Sequence, residues 1–246
     1  MTSQELDGLK PGGMRYYAHA FQKINPVVGE PFNELTIPLQ PGATVRAKVL
    51  DSAGKPIDYA IAVSRLFVAA ISPFWRSATR YEIRDGVFEV SGLSESEEYP
   101  VYILDAKNRL GATALIRKSD PEPTFILKPC GTAKARFVNS DGSVRTDMAF
   151  DFNLVVTPGV PRYDFEAARN GEKAADEDFV ANIDRAGTEL SRTTSSTGEI
   201  VYENLIPGAT YRFTKMADGK VTENVDFIAK SGETIDLKDI VLPSDK

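Results

Sequence analysis

Val45-Arg46-Ala47-Lys48-Val49 and Ala133-Lys134-Ala135-Arg136-Phe137 alternate apolar and polar residues with a period of two. That spacing puts the apolar side chains on one face of a half-buried strand. Each run ends in a Ser/Asp/Gly cluster, Asp51–Gly54 and Asn139–Gly142, which reads as a hairpin turn. Val87-Phe88-Glu89-Val90 and Ile200-Val201-Tyr202 follow Asp85-Gly86 and Thr197-Gly198, again turn then strand. Further strands are expected at Val101–Leu104, Ala112–Ile116, Tyr211–Thr214 and Val225–Ile228. Short strands with turns every 8–12 residues point to antiparallel sandwiches of about seven strands each. Residues 164–186 are the one place where a long amphipathic helix has room.

The two runs belong to a longer repeat. ELTIPLQPGAT at 34–44 and EPTFILKPCGT at 122–132 coincide at Glu34/Glu122, Leu39/Leu127, Pro41/Pro129 and Thr44/Thr132, and the register continues to Gly54/Gly142. A second block, RDGVFEVSGLSESEEY against STGEIVYENLIPGATY, matches at Gly86/Gly198, Leu93/Leu205 and Tyr99/Tyr211. Its larger offset gives the second copy roughly 24 extra residues, and self-similarity in fixed order marks a tandem architecture. Three segments are therefore expected. Residues 41–128 form a first β-sandwich repeat, and residues 129–246 a second with an insertion at about 158–192. Residues 1–40 match the last strands of a preceding copy (RYYAHAF at 15–21, then ELTIPLQP), so the chain is expected to be a piece of a longer array.

The recurring pattern is a strand, a D-x-x-G-x-P turn at Asp51–Pro56, a G-x-F-x-x-x-x-L hairpin at Gly86–Leu93, and a strand opened by Tyr99. With these marks the chain resembles the carboxypeptidase regulatory-like domain, a transthyretin-like sandwich found in tandem in bacterial multidomain proteins. The second copy departs from the pattern in carrying Val144 where the first has Pro56. The resemblance implies an all-β fold of tandem seven-stranded Greek-key sandwiches with a partial amino-terminal unit, and an accessory role. Related folds that are enzymes do not fit the residues. Metallocarboxypeptidases need two His and a Glu on zinc, and intradiol dioxygenases two Tyr and two His on iron, but this chain has one His. The transthyretin-like hydrolases of purine breakdown end in Tyr-Arg-Gly-Ser, whereas this chain ends in Leu242-Pro243-Ser244-Asp245-Lys246.

Composition narrows the chemistry further. With 29 Lys and Arg against 35 Asp and Glu the net charge is −6, and no basic block is present to bind nucleic acid. The most apolar stretch, Ile61–Ile71, is broken by Arg65 and falls short of the ~20 residues that span a bilayer, so no direct membrane insertion is expected. The first ten residues hold no apolar signal-peptide core, which leaves a cytoplasmic location open beside the cell envelope or secretion that the resemblance implies. His19 has no poised partner in sequence and reads as a strand residue. Cys130 lies in the joint Lys128-Pro129-Cys130-Gly131 with no second Cys, so neither a disulfide nor redox work is expected. No catalytic residue, metal site or cofactor is assigned.

Two segments remain as contact surfaces. The 158–192 insertion carries eight acidic and five basic residues, half the net charge. Its Asp176-Glu177-Asp178 lacks the D-x-D-x-D-G spacing of a calcium loop and reads as a solvated charge run. Residues 73–81 hold the only Trp, and Phe74, Trp75, Arg76 and Tyr81 form a candidate ligand-binding patch, since aromatic faces beside Arg stack on sugars or on a partner's side chains. The favoured function is a non-catalytic module of a larger protein. It acts as a semi-rigid spacer, because the joints at Pro41-Gly42 and Pro129-Cys130-Gly131 are short and contain Pro, or it docks other domains or a protein partner. The alternative is a carbohydrate-binding module using the patch around Trp75. A glycan array separates the two: the alternative requires binding by the native chain that Trp75→Ala abolishes, and no binding by either removes it.

Overall fold

The computed structural model describes residues 2–5, 15–18, 36, 43–64, 81–93, 98–150, 152–155, 180–181, 193–217 and 220–242, and every regular element among them is a β-strand. β1 (Thr2–Glu5) and β2 (Arg15–Ala18) form an antiparallel pair with Thr2 opposite Ala18. His19, and all of 34–41 except the exposed Thr36, lie outside the described residues.

The first repeat runs through β3 (Ala43–Leu50), β4 (Tyr59–Ser64), β5 (Tyr81–Arg84), β6 (Val87–Leu93), β7 (Tyr99–Asp105), β8 (Leu110–Ile116) and β9 (Thr124–Ile126). The ladder β6-β3-β9 forms one layer and β5-β4-β7-β8 the other, joined at one edge where Arg84 pairs with Val87 across the Asp85-Gly86 turn. The predicted alternation is what closes the layers. Val45, Ala47 and Val49 of β3 and Phe88 and Val90 of β6 point inward, where Ala60, Ala62, Ile83, Val101 and Ile103 meet them in one buried cluster. After the two-residue β10 (Lys128–Pro129), the order repeats in β11 (Gly131–Asn139), β12 (Asn153–Val155), β13 (Val180–Ala181), β14 (Glu199–Leu205), β15 (Thr210–Ala217), β16 (Lys220–Ile228) and β17 (Thr234–Leu242).

The second repeat pairs its strands in the same way, as layers β14-β11-β17 and β13-β12-β15-β16. Its core is rich in rings: Phe137 stacks on Phe150 with centroids 4.0 Å apart, and Phe152 meets Tyr202 edge-on at 4.5 Å. The buried tyrosines keep their polar ends satisfied. The Tyr202 hydroxyl donates to the Phe150 carbonyl (2.6 Å), and the Tyr211 hydroxyl accepts the Ile206 N–H (2.9 Å). Within 164–186, the described residues Val180 and Ala181 form a strand against β12 rather than part of a helix. One pairing in each repeat departs from a purely antiparallel sandwich. β9 runs parallel to β3, and β17 parallel to β11, because each closing strand returns from the opposite layer in the direction of the opening strand.

The repeat holds down to single hydrogen bonds. In the first copy the Asp51 N–H donates to the Lys55 carbonyl (2.9 Å), Ile57 N–H to Val49 (3.1 Å), and Val49 N–H to Gly86 (2.9 Å). In the second, Asn139 donates to Ser143 (2.8 Å), Arg145 to Phe137 (3.0 Å), and Phe137 to Gly198 (2.9 Å). Leu50 bridges Pro56 as Val138 bridges Val144, so the missing proline leaves the turn intact. Gly86 (φ 69°) and Gly198 (φ 75°) lie flat against this turn. A Cβ on Gly86 would sit 2.7 Å from the Pro56 Cβ, and one on Gly198 2.8 Å from the Phe137 carbonyl oxygen. Sequence identity at Gly86/Gly198 thus reports a close backbone approach.

At its edge β17 carries one extra residue, since Lys134 faces Asp236 while Arg136 faces Asp239. Lys238 takes φ 61° there, and its N–H donates to Asp236 Oδ1 (3.0 Å).

Gly86→Ala and Gly198→Ala combine left-handed strain with a steric clash and are expected to destabilise by about 2–4 kcal/mol each. Gly54→Ala and Gly142→Ala meet open space at similar φ and should cost about 1–2 kcal/mol. Urea unfolding of the four variants checks the order; equal losses would remove the close-approach explanation.

Candidate functional site

A strand covered on one face alternates, but β7 is buried at Val101, Tyr102, Ile103 and Leu104 in succession. Val101 and Ile103 enter the core of their own repeat. Tyr102 and Leu104, with Ile61 from the neighbouring β4, point the other way and join the core cluster of the second repeat. Each is less than 5% exposed: Tyr102 2%, Leu104 3%, Ile61 4%. At about 1.5–3 kcal/mol for a fully buried large apolar side chain, this contact outweighs any polar one between the repeats. The Tyr102 hydroxyl crosses the boundary and donates to the Val155 carbonyl at 3.3 Å, at the end of β12. Burial pushes its pKa up to about 12, because the phenolate would be desolvated.

The joint is held from both sides. β10 pairs with β8, Lys128 opposite Gly111 and Pro129 opposite Leu110, so Lys128 and Pro129 belong to the ladder of the first repeat. The Cys130 N–H donates to the Arg109 carbonyl at 2.8 Å, and its half-buried side chain packs against the second core. On the far side, the turn between β16 and β17 grips Pro129. Its carbonyl accepts the Ser231 hydroxyl (3.0 Å) and the Gly232 N–H (3.2 Å). Gly131 is pressed onto that turn so closely that a Cβ would lie 2.5 Å from the Lys230 carbonyl oxygen. The linker expected at Pro129-Cys130-Gly131 shrinks to one residue between strands, Cys130.

Two non-glycine residues in the left-handed region flank the boundary. Arg109 (φ 57°) closes the β7–β8 turn, which the buried Asp105 organises by accepting the Asn108 N–H (3.0 Å) and side-chain amide (2.7 Å). Asn204 (φ 59°) sits in a bulge of β14 against β11, with a register shift mirrored in β6 against β3. Between them Arg109 Nη2 and Glu203 Oε1 pair at 3.2 Å across the boundary. Both partners are more than half exposed, so the pair orients the repeats more than it stabilises them. Gly111 lets the β14–β15 turn approach: a Cβ there would meet the Pro207 Cδ at 3.3 Å.

Phe74, Trp75 and Arg76 lie outside the described residues, as do Asp176-Glu177-Asp178 and the 158–192 insertion apart from β13. Tyr81 opens β5 opposite Ala62. Among the described residues no three His, Cys, Asp or Glu side chains converge as a metal site requires. Sequence reasoning passed over Ile61, Tyr102 and Leu104, although a signal existed. VYIL at 101–104 is continuously apolar, the mark of a strand covered on both faces, whereas the equivalent FTKM at 213–216 is broken by Thr214 and Lys215.

No protein-family model matches the chain, and no curated protein does, so the carboxypeptidase regulatory-like resemblance rests on its motif residues. Among solved structures, the minor pilin GBS52 of Streptococcus agalactiae is 13% identical, with 82% of this chain and 97% of that one covered at a TM-score of 0.31. The shaft pilin SpaA of Lactobacillus rhamnosus GG is 11% identical over 83% and 98%, with a TM-score of 0.28. A streptococcal ancillary pilin is 16% identical over 94% and 76%, also at 0.28. These superpositions are loose, and the sandwich assignment stands on the strand pairing of this chain.

Tyr102 links the boundary to pH. An unfolded tyrosine ionises near 10, whereas folded Tyr102 holds its proton to about 12. Its neutral-state contribution is therefore intact below pH 10 and is lost as pH rises from about 10 to 12. Tyr102→Phe cannot ionise, so its stability, measured by urea titration from pH 9 to 12, should decline less steeply than that of the native chain. Parallel declines would count against burial of the hydroxyl.

Proposed function

We propose that the chain is a non-catalytic, semi-rigid spacer or protein-interaction module of a larger cell-envelope or secreted protein, its partners being neighbouring domains or another protein. The observation that carries this reading is the joint at Cys130, paired to β8 on one side and gripped by the β16–β17 turn on the other. Tyr102, Leu104 and Ile61 seal the boundary beside it. A module with such a joint transmits position and force along its length. Domain pairs with small polar interfaces move relative to each other by default, so apolar burial at the boundary is the property that a spacer needs. The glycan-binding alternative has the aromatic run at 73–81 behind it, and no part of the joint bears on it.

Distance measurement between two spin labels tests the reading. With Cys130→Ser removing the native thiol, labels at Ser52→Cys and Ser196→Cys report on exposed turns of the two repeats. A narrow distance distribution is expected, broadened when Gly-Ser-Gly-Ser is inserted after position 130. A native distribution as broad as that of the insertion variant rejects the spacer.

A further inference from the structure

The two cores are not equivalent. The cluster of the first repeat, from Val45 to Leu127, includes no residue of the second among those described. That of the second includes three residues of the first: Ile61, Tyr102 and Leu104. The direction of dependence follows from strand geometry. β4 and β7 serve their own core with inward residues (Ala60, Ala62, Val101, Ile103) and lend their outward ones to the neighbour. Among the described residues, the second repeat places no buried apolar side chain in the first core. On the equivalent layer of the second repeat, Arg212 of β15 is held by Asp226 on β16 through two bonds of 2.8 and 2.7 Å. Val155, whose carbonyl receives the Tyr102 hydroxyl, is itself only 1% exposed.

We propose that the first repeat is a folding template for the second. It forms a self-sufficient cooperative unit, and the second repeat keeps its native packing only while β4 and β7 are in place. This goes beyond a stiff joint, which mutual dependence between the repeats would serve equally well. The polar contacts agree with the order. The β7–β8 turn presents the Arg109 carbonyl and guanidinium as fixed points, and Cys130 and Glu203 of the second repeat attach to them. A chain built in this way acquires structure from its amino-terminal side onward, each formed sheet offering its outer face to the next core.

Native-state hydrogen exchange on the full chain reads the dependence, with β3 and β6 reporting the first repeat and β11 and β15 the second. Leu104→Ala removes an outward side chain and should speed exchange in β11 and β15 roughly a hundredfold, with β3 and β6 changed no more than a few-fold. Ile103→Ala removes an inward one and should speed both sets alike, since the second repeat loses its template. Leu104→Val gives the same pattern at smaller amplitude if the alanine variant folds poorly. The proposal is overturned if Leu104→Ala accelerates both repeats equally or leaves the second unchanged, or if Ile103→Ala spares the second. Equal acceleration combined with a narrow spin-label distribution would sink the template and leave the spacer standing.

Discussion

Burial of β7 on both faces is the constraint on which the arrangement of the two sandwiches depends. A strand has two rows of side chains, and in most antiparallel sandwiches water takes one of them. Here Val101 and Ile103 fill one core while Tyr102 and Leu104 reach into another. With both rows committed, the second repeat cannot leave without exposing a tyrosine and a leucine that are almost wholly covered. The short joint, the Arg109–Glu203 pair and the Pro129 carbonyl then fix an orientation that apolar burial has already made favourable.

Duplication explains why so much of the fold was legible. Gly86 and Gly198 match because both press on the same turn, and that turn keeps its hydrogen bonds with lysine and proline in one copy and serine and valine in the other. Period-two alternation located β3 and β11 because those strands have one wet face. The strand expected at Val101–Leu104 is present as β7, but it is covered on both faces, and the continuous VYIL run went unused as a sign of a neighbour. The parallel pairing of the closing strands was invisible for another reason. Direction within a sheet depends on which layer the chain returns from, and no local pattern of side chains encodes that.

The candidate patch at Phe74, Trp75 and Arg76 lies outside the described residues, and its reading rests on residue type. Residue type says nothing about convergence. The residues that matter at the boundary are ordinary ones placed by register. Tyr102 is one of nine tyrosines in the chain and is set apart by its row on the strand. Cys130 drew notice as the lone thiol, yet its backbone N–H, bound to Arg109, ties the repeats together.

The extra residue in β17 bears on what the open edge of the second sandwich can pair with. A nine-residue edge strand is a ready partner for any other chain with an open edge. At Lys238 the backbone turns left-handed, and Asp236 takes the amide hydrogen that an incoming strand could otherwise claim. What remains on either side is a run of four residues with one Asp in it. The bulge therefore interrupts this edge as a template for sheet extension.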